Sequence, residues 1–269
     1  LQHAWDFGFD VDRLKREQWL ALAQQGNLRE INAQIPELLT DPGDDGAEIS
    51  EALANGMFIT YQFDPASELI DAWARDYPDD PQPHLFLGTL HEHRSSWNDA
   101  VDEFRQALEL APQRADIRIK LAKALTELHQ YDAAIAEYSQ SLQERPQDLA
   151  AIVGLSESLI ATGKIKQAIE ELNRVISLDP KHFGANLAIG QLDLNEGAPE
   201  LAIERLQVAV ESKPHSVPAR FALASALQGA GRPSEAKEHF DRIEQQNDGQ
   251  AELRNLLMEL EREPDRVHL

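Results

Sequence analysis

The chain of 269 residues contains no cysteine. Disulfide bonds and thiolate metal sites are therefore excluded, and the redox compartment of the protein is left open. Aromatic residues make up only 6% of the sequence, which is low for an enzyme built around a deep pocket. Long apolar runs are missing as well. Because no stretch of 18 apolar residues occurs, no membrane span is predicted within this sequence.

Basic residues are also scarce. The sequence holds 25 Lys and Arg against 47 Asp and Glu, a formal net charge of −22. Nucleic acids require concentrated Lys and Arg, so we predict neither a nucleic-acid partner nor binding to an anionic membrane surface. The acidic balance instead favours protein partners with basic segments, and salt is then expected to slow their association.

Catalytic and cofactor motifs are absent too. The sequence contains no G-x-S-x-G, P-loop or G-x-G-x-x-G pattern, and we predict no catalytic residues and no cofactor. His91 and His93 flank Glu92, but a spacing of two points side chains to different faces of a helix, so no metal site is predicted. Acidic residues such as Glu103 and Glu137 are expected at solvated, outward positions.

What the sequence does contain is a period of 34 residues. Prolines, alanines and large aliphatic residues each recur at this step. The columns are Pro78, Pro112, Pro146, Pro180 and Pro214; Ala66, Ala100, Ala134, Ala168, Ala202 and Ala236; and Leu53, Leu87, Leu121, Leu155, Ile189 and Leu223. A fixed period of roughly 20–50 residues indicates a stack of repeated structural units.

We divide the periodic region into six repeats and number the positions within each from 1 to 34. The repeats are 47–80, 81–114, 115–148, 149–182, 183–216 and 217–250. Positions 7, 8 and 11 share one face of a first helix, and positions 20, 24, 27 and 28 share one face of a second. Small residues at positions 8 and 20 let the two backbones approach closely, and a large residue at position 24 fills the remaining space.

Turn residues complete the repeat. Gly163, Gly197 and Gly231 occupy position 15, between the two helices, where glycine tolerates a positive φ. The proline column occupies position 32. Proline lacks an N–H and disfavours helix in the residue before it, so it ends the second helix. Each repeat is therefore predicted to be a helix, a tight turn, a second helix and a proline stop.

This pattern resembles the tetratricopeptide repeat, whose signature is W-x2-L-G-x2-Y, then A-x3-F, then P. The second repeat shows the corresponding residues as His84, Leu87, Gly88, His91, Ala100, Phe104 and Pro112. Position 4 departs from the family pattern, because it is mostly polar where Trp is common. The resemblance implies an all-α fold, a right-handed α–α superhelix of helix hairpins that forms a tetratricopeptide solenoid, and a role in binding proteins.

The two ends of the chain are predicted to be atypical, because one face of a terminal repeat must meet water. Residues 1–46 are predicted to form an N-terminal arm and a degenerate hairpin. We expect its second helix to run from Leu28 to Leu39, with Pro36 kinking it or resetting its start. Residues 41–46 are predicted to be a loop. Residues 251–269 are predicted to contain a capping helix at 251–262, followed by the truncated start of a further repeat.

The arm at the N-terminus carries Trp5, Phe7 and Phe9. It is expected either to dock elsewhere or to pack back on the first hairpin. The sequence starts at Leu1 rather than Met, so we also expect that an upstream segment was removed, and a signal peptide or an anchor helix is one candidate for that segment. The compartment is left open between cytoplasm and periplasm.

The resemblance implies that first-helix positions 2, 5, 9, 12 and 13 form the inner wall of the solenoid. Position 5 is apolar in five repeats and position 9 is polar. We predict a partner-binding groove lined by Leu85, Ile119, Val153, Leu187 and Phe221, with Asn55, Thr89, Lys123, Glu157 and Gln191 beside them. An apolar stripe flanked by polar groups suits a peptide. The alternative is that position 5 is apolar because it packs against the adjacent helix.

Some tetratricopeptide domains hold the C-terminal carboxylate of chaperones with Lys, Asn and Arg at fixed positions. The first such window in this sequence reads Glu51, Asn55, Phe86, Asp116 and Lys120, and later windows agree no better. We therefore do not expect this carboxylate clamp.

These observations predict a non-catalytic scaffold that binds a protein or peptide partner, with basic or apolar segments, on its groove. Two alternatives stay open at this point. The chain could be the substrate-recruiting part of a larger enzyme, or an envelope assembly factor tethered by a removed anchor. Self-association through the exposed ends of the stack is a further expectation.

Overall fold

The computed structural model describes residues 11–40 and 42–246, and every regular element within these ranges is a helix. The α-helices are α1 (Val11–Gln24), α2 (Ile35–Thr40), α3 (Gly46–Ile59), α4 (Phe63–Asp76), α5 (Gln82–His93), α6 (Trp97–Leu110), α7 (Ala115–Glu127), α8 (Tyr131–Glu144), α9 (Leu149–Ala161), α10 (Ile165–Leu178), α11 (Phe183–Asn195), α12 (Pro199–Ser212) and α13 (Val217–Gly229). A further helical stretch, α14, covers 233–246. The predicted aromatic arm and the capping helix at 251–262 lie outside the described residues.

The fold divides into two compact units, Leu1–Pro146 and Gln147–Leu269, here called the N-terminal and C-terminal units. Within the N-terminal unit α3, α5 and α7 each pair with the helix that follows, and within the C-terminal unit α9 and α11 do the same. These helices and α13 are called the first helices below. The division into six repeats remains a prediction. None of the helices in the described ranges combines the length and apolarity needed to cross a bilayer.

Close approach of paired helices depends on the small residue at position 8. A Cβ atom built on Gly88 in α5 would lie 2.4 Å from the ring of Phe104 in α6, and one on Gly190 in α11 would lie 2.5 Å from Leu206 in α12. Phe104 and Leu206 are themselves completely buried. The size pattern therefore works as predicted: a residue without a side chain faces a large one, and the pair leaves no room for another carbon.

The second helices end where the proline column predicts. Helix α6 ends at Leu110, two residues before Pro112, and α10 ends at Leu178, two residues before Pro180. Proline cannot donate a backbone hydrogen bond and restricts the residue before it, so the chain leaves the helix at this point.

Position 15 has a positive φ in every hairpin. The angles are 58° at Tyr61, 55° at Ser95, 58° at His129, 74° at Gly163, 77° at Gly197 and 73° at Gly231. Only the last three are the glycines that the sequence indicated. The left-handed conformation costs a residue with a side chain roughly 1–2 kcal/mol. It is held at both kinds of residue by the same closing bond, as in Gln130 N to Leu125 O and Lys164 N to Leu159 O, each 2.9 Å.

The N-terminal hairpin differs from its prediction. Helix α1 forms as expected, but residues 25–34 are mostly turns and the second helix is reduced to the six residues Ile35–Thr40. Pro36 accounts for the start of that helix, because proline fits a first helical turn but not a helix interior. The apolar residues of this segment still contribute to the core, since Leu28, Ile31 and Leu38 are buried in one cluster. Within the predicted loop at 41–46, Gly43–Asp45 forms a 3₁₀ turn.

The polar residues at position 4 are buried side chains that stabilise the junction between successive repeats. Arg118, Asn186 and Arg220 are at most 8% exposed. Each donates to the carbonyl of the proline six residues earlier: Arg118 to Pro112 at 2.8 Å, Asn186 to Pro180 at 3.1 Å, and Arg220 to Pro214. These carbonyls follow a helix end and lack a helical partner. The departure from Trp at this position therefore has a structural role.

Position 4 also pairs with position 23 of the second helix. His84 Nδ1 lies 2.8 Å from a carboxylate oxygen of Glu103, and Arg118 donates to Glu137 at 2.7 Å. Both glutamates are half-buried. The expectation that these carboxylates belong to a solvated face was therefore wrong. The signal that was overlooked is the charge complementarity between positions 4 and 23.

Candidate functional site

The first-helix face of the N-terminal unit carries a chain of polar contacts. Gln82 at the start of α5 donates to Glu51 of α3 at 2.9 Å, and Arg114 beside α7 donates to Gln82 at 3.2 Å. Arg114 also pairs with Asp116 at 2.7 Å. The hydrogen bond from the Arg114 guanidinium holds the pKa of Asp116 below its ordinary value. Position 5 of one repeat is thus a neighbour of position 2 in the next.

A second group of charges lies further along the same face. Glu92 of α5 has a side chain only 10% exposed and receives Lys120 at 3.0 Å and Lys123 at 3.2 Å, both from α7. Lys120 also stands over the ring of Phe104, 5.8 Å from its centroid. The cations that mark this face in the sequence are therefore paired with a carboxylate of the same face.

The predicted groove residues of the N-terminal unit lie among these contacts. Leu85, Ile119 and Asn55 are half-buried. Thr89 is half-buried as well, and its hydroxyl donates to the carbonyl of Leu85 in its own helix at 2.8 Å. Lys123 is exposed but bound to Glu92, as described above. This face offers few polar groups to a partner without first breaking an internal contact.

The C-terminal unit presents its predicted residues differently. Val153 of α9 and Leu187 of α11 are half-buried, whereas Phe221 of α13 is 57% exposed. Leu187 packs on the core cluster that contains Leu206, so the structural explanation for position 5 holds in part. Phe221 contacts Phe240 edge-to-face at 5.8 Å between ring centroids, and more than half of its surface meets solvent. Glu157 and Gln191 are exposed.

The first-helix faces of the two units differ in the number of charged residues. Positions 2, 5, 6, 9, 12 and 13 hold seven Asp, Glu or Lys residues in the first three repeats, but in the last three repeats they hold only Glu157. Small residues replace the rest: position 2 is Ala150, Gly184 and Pro218, and position 6 is Gly154, Ala188 and Ala222. At these positions the face of the C-terminal unit is therefore mainly apolar, and its polar residues are Glu157, Gln191, Asn195, Ser225 and Gln228.

The histidines flagged in the sequence do not converge. His91 Nδ1 lies 3.9 Å from Asp99, while His93 stacks on Phe63 with ring centroids 5.0 Å apart. Among residues 11–40 and 42–246, no group of three or more His, Asp or Glu side chains is arranged to hold a metal ion.

One carboxylate of the C-terminal unit has a raised pKa. Asp193 of α11 is half-buried, and burial together with repulsion from Glu196 raises its pKa. The shift reflects an unfavourable position for a charge on the helix.

Models of the tetratricopeptide repeat match most of the chain. One matches residues 94–140, 125–192 and 193–260, and a second matches residues 62–115. The chain therefore belongs to the tetratricopeptide repeat family, and the prediction of an all-α tetratricopeptide solenoid is confirmed. No curated protein matches the sequence.

Several solved structures share this fold. PilW, a widely conserved type IV pilus biogenesis factor, is 16% identical with a TM-score of 0.69, over 80% of this chain and 100% of its own. MamA from Desulfovibrio magneticus RS-1 is 19% identical with a TM-score of 0.60, over 65% and 98%. YrrB, a tetratricopeptide protein with an unusual peptide-binding site, is 20% identical with a TM-score of 0.58, over 66% and 92%. At these identities the likeness shows the fold alone.

Proposed function

We propose that this protein is a non-catalytic interaction scaffold that binds a peptide segment or a partner subunit on its first-helix face. The observation that carries the proposal is the apolar position 5 column of the C-terminal unit, which ends in the 57% exposed Phe221. Exposed aromatic side chains beside half-buried aliphatic ones are typical of the anchors that dominate binding energy at interfaces.

Family membership supports the proposal, and so does YrrB, a protein of this fold with a peptide-binding site. The face of the N-terminal unit contributes less in this view, since Asp116, Glu92, Lys120 and Lys123 are already held in ion pairs. Within that unit, Leu85 and Ile119 are also apolar at position 5, and Asn55 is polar at position 9.

The test is capture of partners from a native lysate by the full chain and by the variant Leu187→Asp with Phe221→Asp. We expect the double substitution to abolish capture, because charges would be buried against an apolar partner. Leu187 contacts the core, so Phe221→Asp alone is compared in parallel, and far-ultraviolet circular dichroism checks that the helices remain.

A matched control places the same charges elsewhere on the C-terminal unit. Leu178 and Leu201 are 45% and 63% exposed and lie on the second helices α10 and α12. The variant Leu178→Asp with Leu201→Asp is expected to capture partners normally. Equal capture by the groove variant and the wild type would remove the first-helix face from consideration.

A further inference from the structure

The hairpin of α13 and α14 contains an unusual pair of side chains at positions 4 and 23. In the third repeat, Arg118 at position 4 donates to the carboxylate of Glu137 at position 23, at 2.7 Å. In the sixth repeat, Arg220 at position 4 is only 7% exposed, and position 23 is His239, whose Nδ1 lies 3.5 Å from the guanidinium. The buried arginine of this hairpin therefore faces an imidazole instead of a carboxylate.

The contact between Arg220 and His239 depends on the protonation state of the imidazole. A neutral imidazole with its proton on Nε2 can accept a hydrogen bond at Nδ1, whereas an imidazolium donates from both nitrogens. The guanidinium stays charged throughout the pH range in which histidine titrates. Protonation of His239 therefore replaces a donor–acceptor contact by two like charges that face each other.

The other charged groups around His239 do not offset this repulsion. Arg242 lies three residues further along α14, on the same helix face, and adds a second cation. Glu235 and Glu238 of the same helix act in the opposite direction, but Glu235 is already paired with Arg232 at 2.6 Å. Burial and the two nearby arginines together lower the pKa of His239 below its ordinary value of 6.5.

Neighbouring residues connect this pair to the proposed groove. Phe221 follows Arg220 in α13, Phe240 follows His239 in α14, and the two rings meet edge-to-face with centroids 5.8 Å apart. Phe240 also packs on the core cluster that contains Leu206 of α12. A change in the packing of α14 on α13 therefore alters the aromatic contact that supports Phe221.

We infer that this hairpin is a pH-sensitive element, in which protonation of His239 against Arg220 weakens the packing of α14 on α13 and releases Phe221 from Phe240. The fold favours the neutral imidazole. Its stabilisation is therefore fully present above the ordinary pKa of 6.5 and is lost as the pH falls toward the lower pKa of the folded state. An effect on partner binding rests on the proposed function, whereas the titration of the hairpin does not.

The first test is hydrogen exchange of the full chain, measured by mass spectrometry at about pH 7.5 and about pH 5.5 and corrected for intrinsic exchange rates. We expect the opening of α13 and α14 in the wild type to become roughly threefold more frequent at the lower pH, the size expected from two like-charge contacts. The hairpin of α9 and α10 is the internal control, because residues 149–178 contain no histidine, and its opening should not change.

Two variants identify the titrating group. His239→Gln keeps a polar side chain that cannot gain a proton, so its hairpin should open equally at both pH values. His239→Glu places a carboxylate opposite Arg220, as Glu137 stands opposite Arg118, and should slow the opening at both. A wild-type hairpin that opens equally at both pH values, or a His239→Gln hairpin that still opens faster at the lower one, would overturn the inference.

The second test follows Phe221 itself. Fluorine NMR of the full chain labelled with fluorinated phenylalanine reports on each ring, and the signal of Phe221 is assigned by its loss in Phe221→Leu. We expect this signal to change between the two pH values in the wild type and to stay constant in His239→Gln. A constant signal in the wild type would overturn the release of Phe221. Neither test uses a partner, so a failed capture experiment would contradict the proposed function and leave this inference standing.

Discussion

The two compact units share one repeat pattern but differ in the residues on their first-helix faces. The N-terminal unit has 12 Lys and Arg against 25 Asp and Glu in residues 11–146. Several charges of its first-helix face form ion pairs, as Asp116 does with Arg114 and Glu92 with Lys120 and Lys123. The C-terminal unit holds 10 against 14 in residues 147–246, with glycine, alanine and proline on the corresponding face. The same helix hairpin therefore supports a self-paired polar face or an open apolar one, because face positions outside the core tolerate either.

The largest expected effect comes from the core residue at position 24. Phe104 in the N-terminal unit and Leu206 in the C-terminal unit are both fully buried. We expect Phe104→Ala to lower the free energy of unfolding by about 3–5 kcal/mol and Leu206→Ala by about 2–5 kcal/mol.

Two probes separate these effects. All four tryptophans, Trp5, Trp19, Trp73 and Trp97, belong to the N-terminal unit, so tryptophan fluorescence during urea unfolding reports on that unit and circular dichroism on both. Only Phe104→Ala is expected to shift the fluorescence midpoint. An equal shift of the fluorescence midpoint in Leu206→Ala would mean that the two units unfold together and are not independent.

Replacing glycine by alanine should change the free energy of unfolding in opposite directions at a crowded site and at an open one. Gly88→Ala is expected to cost about 1–3 kcal/mol, because its Cβ atom would overlap Phe104. Gly184→Ala should leave stability unchanged or raise it by up to about 1 kcal/mol, since the site has room and the unfolded chain loses freedom. Urea unfolding followed by circular dichroism measures both. A loss of several kcal/mol in Gly184→Ala would mean that the fold requires this glycine.

The turns at position 15 have the same left-handed conformation in both units, but only those of the C-terminal unit contain glycine. Replacing Ser95 by glycine is expected to stabilise the protein by roughly 1 kcal/mol, because it relieves a left-handed conformation at a residue with a side chain. Gly197→Ala should destabilise by a similar amount, and nothing within 4 Å would obstruct its methyl group, so the effect comes from the backbone alone. Thermal unfolding measures both signs. Two changes of the same sign would contradict the explanation.

The smallest effects concern two carboxylates with opposite responses to pH. The pKa of Asp116 is lowered in the fold by Arg114. The stabilisation that ionised Asp116 provides is fully present above its ordinary pKa of 3.8. It is lost as the pH falls through the lower pKa of the folded state. The pKa of Asp193 is raised by burial and Glu196. Its destabilisation is present above the raised folded value and disappears as the pH falls toward 3.8.

At neutral pH we therefore expect Asp116→Asn to destabilise by less than about 1 kcal/mol, because the two side chains are 35% and 37% exposed and solvent screens the pair. Asp193→Asn should stabilise by about 0.2–0.5 kcal/mol through removal of a like-charge pair one helical turn apart. Urea unfolding between neutral pH and about pH 3.5 follows both differences. An Asp193→Asn effect that grew on acidification would contradict the assigned sign.

The helix hairpins could be predicted from the sequence because size patterns act locally and recur at a fixed step. Gly88 and Phe104, or Gly190 and Leu206, show the complementarity directly. The N-terminal hairpin could not be predicted in the same way. Its apolar spacing indicated a helix through residues 28–39, but the backbone turns instead, because burial of Leu28, Ile31 and Leu38 in one cluster does not require a continuous helix.

The candidate site was predictable only as a column of positions. The sequence indicated that position 5 is apolar and position 9 polar, but not that Thr89 bonds within its own helix or that Lys123 is held by Glu92. It also missed the contact from Gln82 to Glu51. The contacts of Gln82 with Glu51 and of Lys123 with Glu92 join residues 31 positions apart, and their geometry depends on how neighbouring hairpins pack.

By itself the sequence determined that this protein is built from helix pairs of the tetratricopeptide type. Small and large residues recur every 34 positions along most of the chain, and this pattern is satisfied when each small residue packs against a large one in the paired helix. Only the tertiary structure decided which side chains of the shared face are open. Phe221 is exposed while Leu187 is partly enclosed, and the left-handed turn is imposed on Tyr61, Ser95 and His129 without a glycine. Exposure and charge pairing are properties of neighbours brought together by folding, and a linear pattern does not contain them.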